Sequence, residues 1–99
     1  MKFPITKQDI DGGIQEDCYE CPLALSMNRT IGDKFSFHEI DVIVDRVSVD
    51  IFIKRNGNHE SPREHHTAGL SREAKEFIWE FDNNVPVSPC TIDIDIDLE

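Results

Sequence analysis

"RVSVDIFIKR", residues Arg46 to Arg55, alternates along its length. Val47, Val49, Ile51 and Ile53 fall on one side, and Ser48, Asp50 and Lys54 fall on the other. Successive side chains of a strand point to opposite faces, so this pattern predicts a half-buried β-strand. The preceding stretch "FSFHEIDVIVD" (Phe35 to Asp45) alternates as well. Two such runs in succession predict a hairpin. Their junction near Asp45-Arg46 lacks the Asn-Gly pair of a tight turn, so one long bent strand is the alternative.

Beyond this pair, "NGNHESPREHHTAG" (Asn56 to Gly69) has almost no apolar content and is rich in turn formers, which predicts a long loop. "LSREAKEFIWEFDNN" (Leu70 to Asn84) places Ala74, Phe77, Ile78 and Phe81 on one helical face, behind Ser71 as N-cap. "CTIDIDIDLE" (Cys90 to Glu99) sets Ile92, Ile94, Ile96 and Leu98 against Asp93, Asp95, Asp97 and Glu99, a strand with one dry and one wet face. Towards the N-terminus, Thr6 caps a short helix that Gly12-Gly13 stops, and Pro22 opens a second helix running to about Thr30. The order α, α, β, β, α, β predicts an α+β fold: a small antiparallel sheet of about three strands with helices packed on one face, in a single domain of residues 1–99.

Twenty acidic residues against ten basic ones give a formal net charge of −10. Such a surface repels nucleic-acid phosphates and anionic membranes, and fits a soluble protein or one that meets basic partners. No apolar run approaches the ~20 residues of a membrane span, and "MKFPITKQD" lacks the apolar core of a signal peptide. These features place the chain in the cytoplasm as an expectation, with three reduced cysteines.

Cys18-x-x-Cys21 and Cys90 raise the question of zinc. A structural zinc site takes four ligands, the fourth here coming from His38, His59, His65 or His66, and no second ligand pair has zinc-finger spacing. A redox pair fits worse, because Pro22 pushes Cys21 out of the helical region. The simplest reading makes the cysteines small apolar side chains at a helix start, with no metal and no other cofactor. No glycine-rich phosphate loop or nucleophile elbow is present, and nothing singles out a catalytic residue.

Charge is unevenly spread. Between Lys54 and Arg72 the balance is +2, and the remainder carries −12. Lys54, Arg55, His59, Arg63, His65, His66 and Arg72 are therefore candidates for holding an anion such as a nucleotide. The plain alternative is that these cations neutralise neighbouring carboxylates. Asp93, Asp95 and Asp97 are candidates for an acidic face that meets a basic partner. Their plain alternative is a solvated strand face that discourages aggregation.

Two stretches, "DIDGGIQEDCYECPLALS" and "AKEFIWEFDNNVPVSP", resemble those of a group of small uncharacterised proteins of tailed bacteriophages. The matching positions are Ile10, Gly13, Cys21, Pro22, Ala24 and Leu25, then Phe77, Ile78, Phe81, Asp82, Val87 and Pro89. Cys90 departs from the pattern, which has an aromatic residue there. The resemblance implies a phage origin and a place in the host bacterial cytoplasm, and brings no activity with it. The expectation is a non-enzymatic accessory protein that binds a host or phage protein, for example as a counter-defence inhibitor. The alternatives are an oligomeric nucleotide binder using the Lys54–Arg72 region and a zinc protein using the cysteines.

Overall fold

A computed structural model describes residues 1–35, 37–55 and 63–98, with only the backbone of Phe37 and His38. The fold is α+β with antiparallel sheets. It comprises β1 (Lys2–Ile5), α1 (Lys7–Gly12), α2 (Pro22–Lys34), β2 (Phe37–Val44), β3 (Ser48–Arg55), β4 (Glu64–Gly69), α3 (Arg72–Asp82) and β5 (Cys90–Asp93). The strands form a three-stranded sheet, β2-β3-β4, and a two-stranded sheet, β1-β5.

The predicted hairpin is present. Val42 faces Ile51 and Val44 faces Val49 across the β2–β3 ladder, and all four are buried. Asp45 N donates to Ser48 O at 2.8 Å and closes the turn, so the strand is not one long bent element. Val47 was expected on the buried face. It lies in the turn instead and is exposed, because the sheet begins only at Ser48.

Three further expectations change. The stretch read as a loop contains β4: Glu64–Gly69 pairs antiparallel with β3, Ile51 opposite His66. Its side chains look loop-like because β4 is an edge strand whose outward residues, His65 and Thr67, are wet. Residues 56–62 of that stretch lie outside the described residues. The second helix does not stop at Thr30. It passes through Gly32 to Lys34, because Ile31 is fully buried and Phe35 N still donates to Ile31 O at 2.9 Å. The last strand is only Cys90–Asp93, and its partner is β1, a strand absent from the sequence reading.

β1 is four residues long and contains Pro4, which has no N–H to give a ladder. Its carbonyl is held from outside the sheet: Ser26 Oγ donates to Pro4 O at 2.6 Å and Arg29 Nη2 at 2.9 Å. Helix α2 thereby packs on β1 as well as on β2. One apolar cluster joins Phe3 and Ile5, Leu23, Ala24, Met27 and Ile31, the inner faces of β2 and β3, Ala74, Phe77 and Ile78 of α3, and Ile92, Ile94 and Leu98.

The caps follow the sequence. Thr6 and Asp9 form a reciprocal capping box on α1. Ser71 Oγ accepts from Ala74 N at 3.2 Å. The Cys21 thiol accepts from Ala24 N at 3.5 Å, with Pro22 following in the first turn. "CYECP" is thus a helix start in which sulfur, a weak acceptor, takes the place of a serine oxygen.

Candidate functional site

The cations between Lys54 and Arg72 are largely committed to carboxylates. Arg55 Nε donates to Glu64 Oε2 at 2.6 Å, and Arg55 Nη2 reaches the carbonyl of Leu98 at 3.4 Å. The Arg55 guanidinium holds Glu64 below the usual carboxylate range. Arg63 pairs with Asp41 across the sheet. His65 Nε2 lies 2.7 Å from Asp50 Oδ1, with its ring stacked 4.4 Å from Phe52. Arg72 pairs with Glu76 one turn along α3 at 2.9 Å. His66 sits 3.8 Å from Glu64 on the inner side of β4. Lys54 faces Glu39 across the β2–β3 ladder, and His59 lies outside the described residues. The electropositive island of the sequence is thus threaded with acids from β2, β3 and α3, which a count along the chain assigns elsewhere.

Asp93, Asp95 and Asp97 are all exposed, as the alternation predicts, while Ile92, Ile94 and Leu98 are buried. The regular strand ends at Asp93, however, so Asp95 and Asp97 do not extend an even ladder of carboxylates. Among the described residues, no three His, Cys, Asp or Glu side chains come together to hold a metal. Cys21 is buried in its capping role, and burial pushes its thiol up by more than the neighbouring N–H groups lower it.

Another feature is built by the loop between α1 and α2 and the end of α3. Between α1 and α2, residues 13–21 form a tight loop. Asp17 Oδ1 accepts from Tyr19 N at 2.8 Å and Glu20 N at 2.9 Å, and Ile14 N donates to Glu20 O at 2.9 Å. Glu16 takes a left-handed conformation, φ 56°. The loop is tied on both sides. Val44 N donates to Cys18 O at 2.8 Å, which joins it to β2. Glu16 N donates to Asp82 Oδ1 at 2.9 Å, and Gln15 Nε2 donates to Phe81 O at 3.0 Å, which join it to the end of α3.

Two contiguous hollows flank this joint. One, of about 500 Å³, is lined by α3 residues including Trp79 and Glu80, with Glu16 and Arg46. The other, of about 340 Å³, shares Glu16, Arg46, Ile78 and Asp82 and extends along Asp17, Cys18 and Asp45. Together they form an acidic groove: seven carboxylates stand against Arg46 and Lys75.

The exposed large apolar side chains fall in the segments that build it. Among the described residues these are Ile14, Tyr19, Val47, Trp79 and Val85. Each either lines the groove or lies within two residues of a lining side chain. Tyr19 is 57% exposed and Trp79 62% exposed. The sequence did carry one signal for this: Trp79 falls off the Ala74–Phe77–Ile78 stripe, on the wet side of an amphipathic helix.

No protein-family model matches this chain, and neither curated protein sequences nor solved structures show a match to it. Of the positions compared in the two terminal stretches, Cys21, Ile78 and Asp82 line the smaller hollow beside this joint. Gly13 abuts Pro22, Cys21 caps α2, Phe77 and Ile78 are buried, and Asp82 holds Glu16. Among the described residues, no helix is long and apolar enough to cross a membrane.

Proposed function

We propose that this chain is a non-enzymatic binding protein of a tailed bacteriophage, and that it docks a host or phage protein on the groove formed by the 13–21 loop, the 45–47 turn and α3. The observation that carries the reading is Trp79, 62% exposed and lining the groove, with Ile14, Tyr19, Val47 and Val85 exposed within two residues of its lining side chains. Tryptophan and tyrosine are enriched at protein interfaces, where a few pocketed aromatic anchors carry much of the affinity. A nucleotide-binding role has less support, since Arg55, Arg63, His65 and Arg72 each face a carboxylate.

The test is affinity capture from bacterial extract by the immobilised chain, run beside a Tyr19→Ala/Trp79→Ala variant of unchanged circular dichroism. A partner retained by the natural chain and lost from the variant supports the reading. Equal retention by both, or none by either, defeats it.

A further inference from the structure

Resting on that docking surface, we propose that its occupant is a positively charged protein segment that lays an arginine on Trp79, with Glu16 and Glu80 holding the guanidinium. Most carboxylates of the groove already have donors. Asp82 accepts from the Glu16 amide, Asp17 from two loop amides, Asp50 faces His65, and Glu76 is paired with Arg72. Glu16 and Glu80 line the same hollow as Trp79, and their carboxylates have no partner among the described residues.

An exposed indole in a hollow that two uncommitted carboxylates also line can receive a flat cation. A guanidinium stacks on the ring while its edge donates two N–H groups to a carboxylate. An ammonium is more strongly hydrated and meets the same site as a point charge, so lysine is the poorer ligand. Arg46 and Lys75 leave the groove strongly negative, which repels phosphates and acidic peptides. The same field opposes a second copy of this chain, whose net charge is −10.

Trp79 is the single tryptophan, so its fluorescence reports on the site directly. The probes are acetylated octa-arginine and octa-lysine, titrated at low salt into the natural chain, into Glu16→Gln/Glu80→Gln, and into the charge-matched control Asp93→Asn/Asp95→Asn. Octa-arginine is expected to shift the Trp79 emission saturably and to bind about fivefold more tightly than octa-lysine. The Glu16/Glu80 variant should weaken it about tenfold, and the control should leave it close to unchanged. Equal affinity for the two polycations, or equal loss in the two variants, overturns the assignment by reducing it to general attraction to an acidic body. If octa-arginine fails while the Tyr19→Ala/Trp79→Ala variant still loses its captured protein, the arginine assignment falls and the docking surface stands.

Discussion

Arg29 grips Asp9 with both ends of its guanidinium, Nη1 to Oδ1 at 2.5 Å and Nη2 to Oδ2 at 2.9 Å. Asp9 is 4% exposed, and its Oδ2 also accepts the amide of Thr6. One carboxylate therefore caps α1 and ties it to α2, while Arg29 Nη2 reaches on to the Pro4 carbonyl in β1. Three elements meet on one ion pair.

Burial alone would raise the Asp9 carboxyl, but the bonds from Arg29 and Thr6 outweigh it and hold it below its ordinary 3.8. A depressed folded value means that the pair stabilises fully above the unfolded value and loses that contribution as pH falls through the folded one. Asp9→Asn should therefore flatten the acid limb of a Tm–pH curve below about pH 4. Arg29→Ala should cost about 1–3 kcal/mol at neutral pH, at the lower end because its guanidinium is partly in water. Urea unfolding at pH 7 and pH 3 measures both.

Gly13 is small because of its neighbours. A Cβ there would stand 2.7 Å from the Pro22 ring and 2.8 Å from the Asp9 carbonyl. Its φ of −73° is open to any residue, so the restriction is space alone. Gly13→Ala should destabilise by roughly 1–3 kcal/mol through overpacking. Gly12→Ala meets nothing within 4 Å and should be neutral or slightly stabilising. A matched pair of thermal melts decides this, and similar losses in both would point to backbone freedom rather than contact.

The C-terminal segment should behave as core despite having little regular strand. Ile94 is 1% and Leu98 2% exposed, and Ile94 N donates to Met1 O at 2.9 Å. Leu98→Ala should cost about 2–5 kcal/mol and Ile94→Asp should unfold the chain. Asp95→Asn, on the wet side, should change stability by no more than about 0.5 kcal/mol. Arg55→Glu should also lower Tm, since Arg55 reaches the Leu98 carbonyl. Cooperative melting of Ile94→Asp at the natural Tm would contradict this placement.

Thiol labelling offers an independent check. Burial pushes both thiols up, so access decides: the buried Cys21 should alkylate more slowly than the exposed Cys90. Cys21→Ser should keep the cap and Cys21→Ala should cost about 1 kcal/mol. Removing metal with a chelator should leave Tm unchanged. Site-resolved mass spectrometry over time follows the labelling, and early loss of the Cys21 thiol would mean that α2 opens at its start.

Elements whose side chains announce their own burial were legible from sequence. Val49, Ile51 and Ile53 alternate and are fully buried; Ala74, Phe77 and Ile78 recur at helical spacing and face the core; Thr6 and Ser71 cap where their oxygens allow. Phe3 and Ile5 carried the same alternating signal for β1, but over four residues broken by Pro4 it is too short to stand out.

The sequence alone thus determined the α+β class, the two alternating runs of β2 and β3, the last helix and which side of the C-terminal segment is dry, because burial period is a local property; the turn at Asp45–Ser48 that makes those runs a hairpin was decided by the structure. Tertiary structure alone decided that β5 pairs with β1, since backbone hydrogen bonds carry no side-chain signature of their partner. It likewise made a strand of Glu64–Gly69, whose ladder comes from β3. The acidic groove has the same origin: Glu16 and Asp82 are 66 residues apart and become its joint only when the loop's amide reaches the last helix. Electrostatic fields add over space, so a cation such as Arg63 is neutralised by Asp41 on another strand, however the charges are ordered along the chain.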